Sequence, residues 1–290
     1  MSRNVLTVSL MLCLIGGQAQ EMKFEEYNPE STLVVPGQPV LRARYPFVDI
    51  HNHQFRMPTQ DLSELISAMD TLNMAVMVNL SGGSGEHLLG AQNNVNSHYP
   101  NRFVIFANVD FSGVGLEGWG EQAAAQLESD VRNGAMGLKI YKSLGLRNQD
   151  AGGNRVAVDD PRLDPVWAKC AELGIPVLIH SADPRSFWDP VDSLNERWLE
   201  LKLRPNRKRS DTDPAPWQQI IDEQHRMFRK HPKTTFINAH MGWYANDLHR
   251  LGQLMDELPN MYVGIGAIIA ELGRQPRMAR EFFIKYQDRI

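Results

Sequence analysis

Seven short apolar runs recur along the 290-residue chain, at 46–51 (PFVDIH), 74–80 (MAVMVNL), 102–110 (RFVIFANVD), 136–141 (MGLKIY), 175–181 (IPVLIHS), 234–240 (TTFINAH) and 261–267 (MYVGIGA). Apolar, β-branched-rich runs of this length read as strands. Amphipathic stretches of helical length separate them, among them 61–73, 119–134, 164–174 and 246–259, several closing on a helix stop (Gly134, Gly174, Pro259). Strand and helix alternating at a spacing of mostly 27 to 40 residues predict parallel βα units. No glycine-rich phosphate signature follows the first strand, and GGSGEH at 82–87 lacks the Lys-Ser/Thr of a phosphate loop. The expected fold is therefore α/β, a TIM-type (β/α)8 barrel, which gathers its functional groups at the strand C-termini. The widest gap between runs follows the fifth strand, so an insertion is expected at about 182–216.

The ends of the chain add a compartment and a boundary. Residues 1–19 read as a signal peptide: Arg3, the apolar run VLTVSLMLCLI, then small residues suited to cleavage after Ala19. Export to a periplasm or the medium is expected, with a membrane anchor by an uncleaved signal as the alternative. Residues 20–44 form an irregular, proline-containing lead-in, and the barrel occupies 45–290. Only Cys170 remains beyond the signal, which excludes an intramolecular disulfide and a cysteine-based metal cluster. The net charge of −4 argues against a nucleic-acid partner. The basic run RPNRKR at 204–209 reads as a solvated loop. A small-molecule substrate is the expected partner, no membrane is expected beyond export, and a homodimer is left open.

Four of the nine histidines fall at predicted strand ends: His51 and His53 at the first, His180 at the fifth and His240 at the sixth. His51 and His53, two residues apart, share one face of their strand. A single histidine closing a buried strand is ordinarily a hydrogen-bonded structural residue. Four together, one pair in HxH spacing, point to a metal site, and imidazole suits zinc well. Asp49 is either a partner of an imidazole or bonded to the backbone beside it. The remaining five (His87, His98, His225, His231, His249) are expected on the surface.

The motifs DIHNH (49–53), GLKIYKSLGL (137–146), VDDPRLDPVW (158–167), PVLIHSADP (176–184), FINAHMGWYANDLHRL (236–251) and the C-terminal 269–290 together resemble the amidohydrolase superfamily. The nearer likeness is to its amidohydrolase-related branch, which includes aminocarboxymuconate semialdehyde decarboxylase-like proteins. That resemblance implies one divalent metal ion, zinc first, held by His51, His53 and His180, with His240 as acid/base. It implies a hydrolase that cuts a C–N or C–O bond of the amide or lactone type with a metal-activated water. The alternative is non-oxidative decarboxylation of an unsaturated or aromatic acid. Lys139 is expected to contact substrate or an acidic neighbour rather than to carry a bridging carbamate, and Trp188 and Trp243 are candidates to line the pocket. In the family an eighth strand ends in an aspartate that is ligand and base. The sequence given stops at Ile290, at the threshold of that strand. The expectation is an incomplete copy lacking strand 8 and its helix, and an inactive barrel is the third functional reading.

Overall fold

The computed structural model describes residues 22–34, 37 and 39–290, so the expected export segment lies outside the described residues. Chain contacts divide the protein into two units, Met1–Gln38 and Pro39–Ile290. The described part of the first is exposed, irregular chain with one 3-10 turn at Phe24–Glu26. No helix among the described residues is long and apolar enough to cross a membrane.

The second unit holds eight short strand segments: β1 (Phe47–Asn52), β2 (Met74–Asn79), β3 (Phe103–Ile105), β4 (Ala107–Asn108), β5 (Leu138–Ile140), β6 (Val177–Ile179), β7 (Phe236–Asn238) and β8 (Met261–Val263). Every pairing is parallel. β3 and β4 are two halves of the third predicted strand, which stays in line across Phe106. The Phe106 amide donates to Asn79, and that of Ala107 to Gly137. A Cβ on Gly137 would lie 2.4 Å from the Phe106 ring, so only glycine lets that ring sit against the next strand. All seven predicted runs are thus strands of an α/β barrel of the TIM type. Among the described residues no strand pairs with the outer edge of β1 or of β8, and Val48 and Ile50 of β1 are exposed.

The helices are α1 (Ser63–Leu72), α2 (Gly85–His98), α3 (Trp119–Arg132), α4 (Ser143–Leu146), α5 (Asp164–Leu173), α6 (Trp198–Leu203), α7 (Trp217–Lys230), α8 (Leu248–Glu257), α9 (Ile269–Gly273) and α10 (Pro276–Tyr286). GGSGEH at 82–87 leads into α2, which begins at Gly85 after Ser84. Gly174 ends α5 at φ +67, its amide bonded back to Cys170 and Ala171, the left-handed stop that glycine adopts freely. Between β6 and α7 the expected insertion contains only short elements, including α6.

Period-2 alternation divides the apolar residues into two layers. Leu138, Ile140, Val177, Ile179 and Phe236 belong to the large core shared with the helices. Val78, Leu80, Phe106, Leu178 and Ala239 form a small separate cluster that fills the barrel. Lys139 pairs in register with Leu178 and so points inward with that second set.

Candidate metal centre

The barrel brings all four strand-end histidines together in a row. Ring centres of His51 and His53 are 5.5 Å apart, those of His51 and His240 5.1 Å, and those of His240 and His180 4.3 Å. The row therefore runs His53, His51, His240, His180, with His240 between the two limbs of the expected ligand set. Among the described residues no group of three His, Cys, Asp or Glu side chains is gathered to hold a metal ion as it stands. His240 stands between His51 and His180, its Nε2 3.3 Å from Nδ1 of His180.

The donor chemistry nevertheless fits a divalent ion. Two imidazoles bound to one zinc at about 2.1 Å bring their ring centres to roughly 5 Å, close to the separation of His51 and His53. Burial, reinforced by Lys139 and the neighbouring imidazoles, pushes the His51 pKa down to about 3, against a smaller opposing pull from Asp49. Burial likewise lowers His53, His240 and, furthest, His180. Uncharged imidazole is the ligand form. Nδ1 of His240 lies 2.7 Å from the Gly266 carbonyl, which can only accept, so that nitrogen carries the proton. His240 Nε2 then accepts from Nδ1–H of His180. This leaves a lone pair on His180 Nε2, a buried atom without a hydrogen-bond partner. An orphaned buried acceptor of this kind asks for a cation or a donor.

The backbone that carries the inner pair is strained. His240, Met241, Gly242 and Trp243 all have φ between +51 and +62, a left-handed turn that costs non-glycine residues roughly 1–2 kcal/mol each. Ala182 after β6 and Ala267 after β8 are also left-handed. Several contacts hold the turn: the Met241 amide on Gly264, the Trp243 indole on the Ser181 carbonyl at 3.0 Å, and a fully buried Met241. Strain retained around one cluster is characteristic of a functional site.

The other candidates separate. Trp243 stacks on His240 at 4.8 Å and meets His180 at 5.6 Å, so it walls the cluster. The Trp188 indole is committed to the Ala215 carbonyl and makes no ring contact with a histidine of the row. Lys139 is 1% exposed and its Nζ has no hydrogen-bond partner. Burial brings its pKa down to about 7. Asp49 accepts from the His51 amide and the Asn52 side chain, so it holds backbone rather than an imidazole. Asp183 is buried and ion-paired to Lys142 and Arg209, which ties the insertion to the end of β5. The surface expectation fails for His225 and holds only in part for His231, whose ring is largely covered and bonded to Asp164. His225 is buried on the inner face of α7 and stacked on Tyr244 at 6.0 Å, not on the surface. Sequence reasoning also missed Ser81 and Tyr141, polar residues that end β2 and β5 and reach His53. Their position one or two residues beyond an apolar strand was the available signal.

The family model described as amidohydrolase matches residues 84–290, most of the chain. The chain belongs to the amidohydrolase family. That match spans Lys139, His180 and His240 and begins after the HxH pair. No curated protein matches the chain. Among solved structures, a 2,6-dihydroxybenzoate decarboxylase in complex with 2,6-dihydroxybenzoate is 17% identical at a TM-score of 0.50, over 80% of this chain and 76% of that one. A structure described as an amidohydrolase from Staphylococcus aureus is 16% identical at 0.47, over 76% and 75%. The manganese-bound 5-carboxyvanillate decarboxylase of Novosphingobium aromaticivorans is 19% identical at 0.43, over 70% and 56%. The first of these supports the barrel.

Proposed function

We propose that this amidohydrolase-family chain is a metal-dependent hydrolase that cuts a C–N or C–O bond of a small molecule outside the cytoplasm. One divalent ion, zinc first, is held by His51, His53 and His180. The observation that carries the reading is the row of four imidazoles at strand C-termini, with a partnerless Nε2 on His180, and burial favours the uncharged form of each ring. When bound, the ion supplies Lewis-acid polarisation of water or of a substrate oxygen.

The chain's own groups do the rest. His240 has Nδ1 fixed by the Gly266 carbonyl, so Nε2 is the atom that takes and returns a proton once it gives up the bond it accepts from His180. Trp243 lies against that ring and keeps bulk water off one face. Lys139 places a partnerless amine inside the barrel, suited to a carboxylate or a carbonyl oxygen of the substrate. That amine also favours a second reading, decarboxylation of a small acid, in which it would hold the carboxylate. The test begins with elemental analysis of protein purified in zinc. About one equivalent supports the metal centre, and under about a tenth overturns it in favour of an inactive binding barrel. A screen of lactones, amides and unsaturated acids then follows new carboxylate or amine against released CO₂.

A further inference from the structure

Ser81 is 4% exposed at the end of β2, and its hydroxyl lies 2.8 Å from Nδ1 of His53 and 2.8 Å from the hydroxyl of Tyr141. The Tyr141 hydroxyl also lies 3.1 Å from the Leu80 carbonyl. Three hydroxyl and imidazole groups in a line are ambiguous until one end is fixed, and here the carbonyl fixes it. A carbonyl only accepts, so the single Tyr141 proton goes to Leu80. The Tyr141 oxygen then accepts from Ser81. The Ser81 oxygen, its proton used, accepts from Nδ1–H of His53. Reversing the chain leaves Tyr141 and Leu80 as two facing acceptors and loses one hydrogen bond, a bias of about fivefold.

We infer that Ser81 and Tyr141 are positioning residues that hold His53 in its Nδ1–H tautomer and so present its Nε2 lone pair to the metal. The consequence for metal capture rests on the metal-centre reading above, whereas the tautomer does not. Ser81 is itself placed from both sides. Its amide donates to Asn79 Oδ1 at 2.9 Å, and the same oxygen accepts from the Gln54 amide just after His53. The arrangement repeats the logic of the inner limb. There the Gly266 carbonyl fixes His240, which fixes His180, and the free nitrogen is again Nε2. Two hydrogen-bond chains, each anchored on a backbone carbonyl, thus expose the same atom on two histidines from different strands. A ligating histidine held through its other nitrogen is a general requirement of metal sites. Neither hydroxyl is assigned that work by the HxH spacing.

The experiment uses the full chain labelled with 15N-histidine, free of metal, in long-range 1H–15N correlation spectra. Wild type is expected to show His53 protonated on Nδ1. Tyr141→Phe and Ser81→Ala are expected to give a mixture of tautomers, and Ser81→Thr, which keeps the hydroxyl, to restore the wild-type signal. Zn²⁺ affinity measured by competition with a chelator should fall about tenfold in the first two variants and stay within about threefold of wild type in the third. Tyr141→Phe removes one oxygen and keeps the ring, so the test survives a folding defect in Ser81→Ala. His53 carrying its proton on Nε2 in wild type, or an unchanged tautomer in both variants, overturns the inference. A changed tautomer with unchanged Zn²⁺ affinity overturns the positioning role. If wild type binds no Zn²⁺ at all, the metal centre falls while the tautomer measurement still decides the relay.

Discussion

The two limbs of the histidine row are built differently. His51 and His53 end β1, a strand paired on one side only, with irregular register between Phe47 and Val48 and again between Asp49 and Asn52. Both are part-exposed, and their local bonds come mostly from side chains: Asp49 to the His51 amide, Asn52 to the His53 amide, Ser81 to the His53 ring. His180 and His240 follow β6 and β7, each paired on both sides. They are held by backbone, through the His180 amide on Ile140, the Gly266 carbonyl on His240 and the left-handed turn. The backbone of the outer limb is a local motif resting on a sheet edge, and its His53 ring is held from β2. The inner limb is fixed by the whole barrel, and its strain persists because the surrounding core over-determines it. Damage should therefore spread differently from the two limbs.

The largest effect is expected at the inner limb's own chemistry. His240→Ala should lower kcat by about 10²–10⁴-fold on the substrate that the screen identifies, with Zn²⁺ affinity falling by no more than about tenfold as His180 loses the partner on its Nδ1. Complete loss of zinc together with rate would make His240 a ligand and erase the division of labour. Next comes the support beneath the inner limb. Asp183 is 2% exposed, pairs with Lys142 and Arg209, and its carbonyl takes the Trp217 indole. Removing one partner of a buried ion network is expected to cost about 3–5 kcal/mol, so Asp183→Ala should show that loss in urea unfolding.

A stabilising change follows, of about 3 kcal/mol. Lys139 sits beneath both limbs with its pKa brought by burial from 10.5 to about 7. The unfolded chain binds that proton up to 10.5 and the folded chain releases it near 7, so stability is gained as pH rises between those values. The whole shift would correspond to roughly 5 kcal/mol, reduced by repacking around the substituted side chain. Lys139→Met should raise the Tm of the metal-free protein, most at pH 7 and below, with the gap closing toward pH 10.5. The histidines act in the same direction lower down. Their folded pKa values lie below 6.5, about 3 for His51, so metal-free stability falls as pH drops through 6.5 toward 3. A residue that destabilises the fold yet is retained is what an active site would keep. A flat Tm difference across pH 7 to 10.5 would remove that reasoning for Lys139.

What the sequence made legible follows the same division. Parallel strands buried on both faces are continuous apolar runs, so all seven were readable, and HxH on one of them declared a shared face. The inner limb was readable as two histidines but not as a contact. Nothing in AHMGW announces a left-handed turn, because Met and Trp do not favour one. The conformation comes from Gly264, Gly266 and Ser181, which are distant in sequence. His225 was misread although its neighbours Ile221, Gln224 and Phe228 are buried on the same face of α7; a polar-rich helix concealed its apolar stripe. Trp188 and Trp243 looked alike as candidates, and only the turn brings one of them to the cluster. Ser81 and Tyr141 needed the pairing of strands that stand 60 positions apart.

The smallest expected effect tests the outer limb as a local motif. Asp49 bonds the His51 amide at 3.0 Å and the Asn52 side chain at 2.9 Å, both within three residues and near solvent. Removing such bonds where water can replace them costs about 1 kcal/mol, so Asp49→Ala should lower Tm by about 2–4 °C. It should also leave the His53 tautomer alone, since that is held from β2 and β5 rather than from β1. A loss as large as that of Asp183→Ala would mean that the edge strand is locked into the barrel as firmly as β6. The HxH pair would then owe its placement to the fold rather than to its own neighbours in sequence.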